Sequence, residues 1–208
     1  MVRANQTPMT RSASTPRLRL ILLWYMLIIV LVAVSERPWS HRWSGELAWI
    51  AGLVLIAAAA LGRIWCSAFI AGHKDEQLVT WGPYSLCRHP LYALSMLAGV
   101  GIGLATRSVT LLLSTALLVV VLHVRAAHRE ENLLLARHGD AFRRYAAQVP
   151  SVLPRRWRAD TPASATVNFG LFWKSLLDAG SLFALYAAIS VCDVLQRALH
   201  WPAAFVLW

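Results

Sequence analysis

Apolar residues in this chain gather into long blocks separated by short polar stretches, the pattern of helices that cross a membrane. The blocks cover residues 18–34, 46–62 with an extension toward 70, 91–105, 109–124, and 171–191 with a continuation toward 208. Crossing the ~30 Å hydrocarbon core of a bilayer takes ~20 helical residues, so each block reaches or approaches the length of a span. Only Thr106, Arg107 and Ser108 separate the third block from the fourth, which predicts a helical hairpin with a tight turn. The expected fold class is an all-α integral membrane protein with about five transmembrane helices.

The polar stretches differ in kind. Residues 1–17 are rich in Ser, Thr, Pro and Arg without apolar periodicity and are expected to form a disordered basic arm. Residues 126–145 have the pattern of an amphipathic interfacial helix. Leu133, Leu134, Phe142 and Tyr145 line its apolar side, while Arg137, Asp140, Arg143 and Arg144 stay in water. Gly139 predicts a bend in it, and Pro150 and Pro154 end the helical stretch. The chain thus divides into the arm (1–17), two N-terminal spans (18–70), a core of motif loop, hairpin and amphipathic segment (71–155), and a linker with one further C-terminal span (156–208).

A content of 58% hydrophobic and 14% charged residues in 208 positions fits one membrane domain and not a soluble one. The net charge of +10 raises nucleic acid as a partner, but its placement argues against that class. Of the 20 Lys and Arg residues, 16 fall on the arm, between the second and third blocks, or after the fourth, leaving Arg37, Arg42, Arg107 and Arg197 for the other side. That asymmetry is the positive-inside pattern, and it predicts a cytoplasmic N-terminus and a cytoplasmic site. Trp39, Trp43, Trp49, Trp201 and Trp208 fall near the expected exits as interfacial anchors. The first block has the basic flank of a signal peptide, but its removal would invert the remaining charges, so a retained helix is expected. Cys66, Cys87 and Cys192 are odd in number and irregularly spaced, which yields neither a disulfide framework nor a zinc set. The Ala, Leu, Arg and Trp richness leans toward a bacterial inner membrane.

The most informative stretch runs from Gly82 through Pro83, Tyr84, Ser85, Leu86, Cys87, Arg88, His89, Pro90 and Leu91 to Tyr92. It sets a turn, a cation, an imidazole and two phenols immediately before a hydrophobic helix. Ionisable clusters held at a membrane by apolar helices are costly to build and mark functional sites by default. Pro90 suits the first helical turn and biases His89 toward an extended backbone, so Arg88, His89 and the helix start form a candidate anion cradle. The plainer reading makes Arg88 and His89 positive-inside anchors. About forty residues on stands Glu130-Glu131, either solvated or paired with Arg125 and Arg129, or holding an ammonium group; the hairpin returns it to the side of the first cluster. Gly99-Val100-Gly101-Ile102-Gly103 lies deep in a predicted span, so it is not a dinucleotide loop. Gly99 and Gly103 fit close helix packing, and a homodimer through them or through the C-terminal helix is one expectation. His123 and His128 do not share a helical face and lack a third ligand, which leaves metal binding weak.

With these residues in place, the chain resembles the isoprenylcysteine carboxyl methyltransferase family and the related phospholipid N-methyltransferases. Leu78-Val79-Thr80, Gly82-Pro83-Tyr84 and Arg88-His89-Pro90-Leu91-Tyr92 match the first signature; Glu130-Glu131, Gly139, Tyr145, Val149-Pro150 and Leu153-Pro154 match the second. The resemblance covers roughly residues 62–155. It implies S-adenosylmethionine as cofactor, held without a Rossmann domain, and a lipid-like or small acceptor reached from the membrane. Carried over residue by residue, it assigns Gln77, Leu78, Val79, Tyr84, His89, Pro90, Leu91, Tyr92, Glu130 and Glu131 to the cofactor, Glu130 taking its amino group. Arg88 would orient the pocket, and Arg125 or Arg129 would meet the acceptor, because Ala126 stands where relatives carry an acceptor-contacting Arg. Ala93 and His138 replace the usual Gly and Phe, and the last span has no counterpart in the eukaryotic enzymes. Two rivals remain in view: a sterol-reductase-like enzyme using NADPH, which shares a similar Arg-His-Pro-x-Tyr segment, and a non-catalytic membrane scaffold.

Overall fold

The computed structural model describes residues 15–70, 78–156, 158–162, 169–199 and 202–208. The expected position of Gln77 and the greater part of the N-terminal arm lie outside the described residues. Among the described residues six α-helices account for the fold: α1 (Thr15–Val34), α2 (Trp43–Ile70), α3 (Pro90–Ala105), α4 (Val109–His138), α5 (Asp140–Gln148) and α6 (Phe169–Ala198). Among the described residues α1, α2, α4 and α6 are long and apolar enough to cross a membrane, and α3 is a shorter apolar helix. The chain is an integral membrane protein by this measure, and of the five expected spans four fall on these long helices and the fifth on the shorter α3.

Close approach of small residues sets the packing. A Cβ on Gly52 of α2 would lie 2.6 Å from the Gly101 carbonyl oxygen of α3, so the two backbones nearly touch. In the α3–α4 hairpin a Cβ on Gly99 would meet Val119, and one on Gly103 would fall 2.8 Å from Leu112 Cα. The Gly99/Gly103 spacing is therefore used inside one chain, on the hairpin. A core of Ile28, Val32, Ile56, Ile102, Ala105, Leu111, Tyr186 and Ile189 joins α1, α2, α3, α4 and α6. Leu22, Leu23, Val54, Leu113, Leu117 and Leu177 are exposed, as lipid-facing positions are.

Two expectations change. The amphipathic segment is not a separate helix from residue 126: α4 runs unbroken over 30 residues, about 45 Å at 1.5 Å per residue, and so projects beyond a ~30 Å hydrocarbon layer. The break falls at Gly139, whose φ of +51° and ψ of −121° exclude a side chain although no atom lies within 4 Å of where its Cβ would be. Second, the fold carries a strand pair. β1 (Ser35–Glu36) pairs in parallel with β2 (Phe205–Val206), and the Trp208 carbonyl accepts from Thr110 N at 2.6 Å and Ser108 Oγ at 2.8 Å. The segment after α6 thus leaves the helical path and covers the start of α4.

Candidate active site

The site forms where the loop before α3 meets the projecting end of α4. Gly82, with φ of +62°, opens a 3₁₀ turn (Gly82–Ser85), and Pro90 occupies the first turn of α3. Two backbone bonds strap the loop to the segment after α5: Arg88 N donates to Pro150 O at 2.8 Å, and His89 N to Ser151 O at 2.9 Å. Phe142 and Tyr145 of α5, with Val149 just after it, pack against Leu78 and Leu134. The Tyr145 hydroxyl donates to Tyr84 O at 2.6 Å. Both sequence signatures are thereby one structural unit.

Within that unit Arg88 is fully employed. Its Nε and Nη2 donate to Glu131 Oε1 at 3.0 and 2.8 Å, and its Nη1 donates to the carbonyls of Ala146 and Val149 at 2.9 and 2.5 Å. The same Oε1 accepts from Ser151 Oγ at 3.0 Å and lies 3.1 Å from His89 Nε2. Glu131 and Arg88 therefore hold loop, α4 and the post-α5 segment in register. Glu130, one residue earlier and turned by about 100° around the helix, is 45% exposed, and its one ion-pair contact among the described residues is His89 Nδ1, at 3.7 Å. Of the two adjacent carboxylates one is committed to structure and the other is available to a ligand.

The phenols behave differently from each other. Tyr84 is buried, and its hydroxyl has no hydrogen-bond partner among the described residues. Burial, with Cys66 and Glu130 nearby, pushes its ionisation well above the usual phenol range, so the group stays a neutral donor. Tyr92 stacks on His89 with ring centroids 5.5 Å apart, and meets the buried His123 edge-on at 5.6 Å. His123 Nδ1 donates to Val119 O at 2.7 Å. Val79 packs with Phe69 and Tyr84, and Pro90 is buried, while Leu91 is half-buried at the α3 start. Cys87 is buried, and burial pushes its thiol up to about 11, which keeps it a protonated packing residue at neutral pH.

Arg125 and Arg129, expected at the acceptor, are not brought to this cluster. The buried positions of α4 follow Leu111, Thr115, Val119, His123 and Ala127, a stripe of period four that Glu131 continues. Arg125 and Arg129 lie off that stripe and are exposed. In their place α1 supplies Arg17, whose guanidinium carbon sits 5.3 Å from the Tyr92 ring centroid. Sequence reasoning missed Arg17, His123 and Ser151. The signal for His123 was its place on the α4 stripe, eight residues before Glu131; Arg17 carried none, since it was read with the arm. Among the described residues, no group of three or more His, Cys, Asp or Glu could hold a metal ion.

Comparison with known proteins bears on what this cluster does. A model of the phospholipid methyltransferase family matches residues 48–141, a range that holds the loop, the hairpin and both glutamates. The nickel-cobalt-cadmium resistance protein NccN of Alcaligenes xylosoxydans xylosoxydans is 31% identical over 188 residues, covering 89% of this chain and 87% of its own. The cobalt-zinc-cadmium resistance protein CzcN of Cupriavidus metallidurans is 30% identical over 179 residues, covering 85% and 82%. No solved structure matches.

Proposed function

Because the chain belongs to the phospholipid methyltransferase family of membrane methyltransferases, we propose that it transfers a methyl group from S-adenosylmethionine to a lipid-like or small acceptor. The observation that carries this reading is the division of labour between Glu130 and Glu131. A glutamate freed from structural duty beside a locked Arg88–Glu131 pair is what an α-ammonium group requires. The buried Tyr84 hydroxyl supports the same conclusion. A donor left unpaired in the protein costs about 1–3 kcal/mol and is retained where a ligand can accept from it.

The cofactor supplies an already activated methyl on a sulfonium. The chain's own contribution is to bind, align and keep water out, which for a transfer of this kind is the larger part of catalysis. Glu130 takes the ammonium, the Tyr84 hydroxyl donates to a cofactor acceptor atom, and the stacked His89–Tyr92 pair with Leu91 offers a flat apolar wall. Arg88 positions all of these through Glu131 without touching the reacting atoms. The expected cytoplasmic face, the inner-membrane location and self-association through α6 are part of the same proposal. The relatives are named for metal resistance, and for this chain that suggests methylation of an acceptor within a metal-stress response rather than ligation of the metal.

Calorimetry on nanodisc-embedded protein tests the reading. S-adenosylmethionine should bind wild type and bind Glu130→Gln at least tenfold more weakly, the scale of one charged hydrogen bond. A folded wild type that binds NADPH and not S-adenosylmethionine would replace it with the reductase alternative.

A further inference from the structure

Resting on that reading of the site, we infer that Arg17 binds the carboxylate end of the cofactor's amino-acid group, opposite the ammonium held by Glu130. Arg17 lies outside the residues that the family model matches. It stands on α1 seven, eleven and fifteen residues before Trp24, Ile28 and Val32, spacings that place all four on one face of the helix. That face looks into the bundle: Ile28 and Val32 are fully buried, and Trp24 Nε1 donates to Thr115 Oγ1 of α4 at 3.1 Å.

At the open end of this face the guanidinium rests on the Tyr92 ring, which stacks on His89, and His89 Nδ1 lies 3.7 Å from Glu130. A cation and an anion thus flank the stacked Tyr92–His89 pair. An α-amino acid carries its ammonium and carboxylate on a single carbon, so a clamp for it needs opposite charges on neighbouring groups. Among the described residues no carboxylate forms an ion pair with Arg17, whereas every competing cation nearby is employed or turned away. Arg88 is taken by Glu131 and two carbonyls; Arg63 donates to Ser95 Oγ at 2.6 Å and pairs with Asp178 at 3.6 Å; Arg125 and Arg129 are exposed off the α4 stripe. The planar fork of a guanidinium also suits a carboxylate better than a point charge does.

The test uses two ligands that differ only in the group concerned, S-adenosylmethionine and its decarboxylated analogue. Both are titrated by calorimetry into wild type, Arg17→Gln, Arg17→Lys and Glu130→Gln in nanodiscs. Wild type should prefer the intact cofactor by about tenfold or more, and Arg17→Gln should erase that preference by weakening the intact cofactor alone. Arg17→Lys should fall between, and Glu130→Gln should weaken both ligands alike, since both keep the ammonium. Equal weakening of both ligands by Arg17→Gln would reduce Arg17 to a structural role and overturn the inference. So would preserved discrimination in Arg17→Gln, including the case where the variant is impaired only toward the acceptor. If wild type binds neither ligand, the methyltransferase reading falls and takes this inference with it; if wild type binds and discriminates while Arg17→Gln does the same, only the role of Arg17 falls.

Discussion

The two ends of the helical bundle handle buried charge in opposite ways. At the end away from the site, Arg37, Arg107 and Asp193 are almost wholly buried and form ion pairs with one another, although Arg107 Nε and Asp193 Oδ1 have no hydrogen-bond partner among the described residues. Asp193 Oδ1 pairs with Arg37 at 2.9 Å, its Oδ2 takes Arg107 and, at 2.5 Å, Arg197, and Arg107 also reaches Glu46 at 2.8 Å. Arg37 adds Thr106 O and Gln196 Oε1, so the network joins the α1–α2 connection, the hairpin turn and α6. At the site end, by contrast, Glu130 is half-exposed, Arg17 has an aromatic ring for a partner, and the Tyr84 hydroxyl is unpaired among the described residues. Closed charge networks hold a bundle together; open ones wait for a ligand. The hairpin turn even tolerates a left-handed Arg107, φ +53°, a conformation costing on the order of 1–3 kcal/mol, to deliver its guanidinium to Asp193.

The largest expected effect lies at the closed end. Asp193→Asn removes the one carboxylate shared by three arginines and leaves two of them buried without it. Breaking a buried pair from one side costs about 3–5 kcal/mol. For a chain of this size that corresponds to a fall in Tm of roughly 10 °C. Affinity for S-adenosylmethionine, measured well below the transition, should change less than about twofold. If Asp193→Asn instead abolished binding while melting like wild type, the separation of the two ends would be mistaken.

At the open end a smaller change should carry the opposite sign for stability. Tyr84→Phe removes a buried hydroxyl that has no partner among the described residues, so it should leave stability unchanged or raise it by up to about 1 kcal/mol. The same change should weaken S-adenosylmethionine about three- to tenfold, as expected for one hydrogen bond lost from a bound ligand. Thermal melts and calorimetry on one preparation decide it. A destabilised variant with normal affinity would mean that the hydroxyl has a structural partner.

This contrast also explains what the sequence made legible. Block length and the Thr106-Arg107-Ser108 turn are local features, and they located the starts of five helices to within a few residues. The two signatures were legible because their spacing, set by one hairpin, brings Arg88 and Glu131 together across 43 positions. Which of two adjacent glutamates would be spent on structure was not legible, since only the rotation of α4 about its axis separates them. Nor was the closed network: Asp193 sits within an apolar run, and its partners lie 86 and 156 residues away, at Arg107 and Arg37. Charge counting assigned Arg37, Arg107 and Arg197 to one side but had no means to see that they converge. The far end of α4 was underestimated because its sequence turns polar where the helix leaves the membrane, and hydrophobicity alone measures the span and not the helix.

The smallest effect concerns a residue that belongs to the site by position and to the closed class by chemistry. Cys87 precedes Arg88, yet it is 3% exposed and its thiol is pushed up from 9.0 to about 11 by burial. A thiol reacts as its thiolate, so at pH 7.5 the reactive fraction is smaller than that of an ordinary cysteine by the same two decades. Iodoacetamide labelling of folded protein should therefore be slow at neutral pH and accelerate about tenfold per pH unit until about 11. Because the folded pKa lies above the unfolded one, the associated stability is present below pH 9 and is lost as the pH rises toward 11, so labelling must be read alongside a melt at each pH. Cys87→Ser should leave S-adenosylmethionine affinity within about twofold, as a packing residue would. Fast labelling at pH 7.5 in a protein that is still folded, with loss of cofactor binding on modification, would move Cys87 from the packing beneath the site into the site itself.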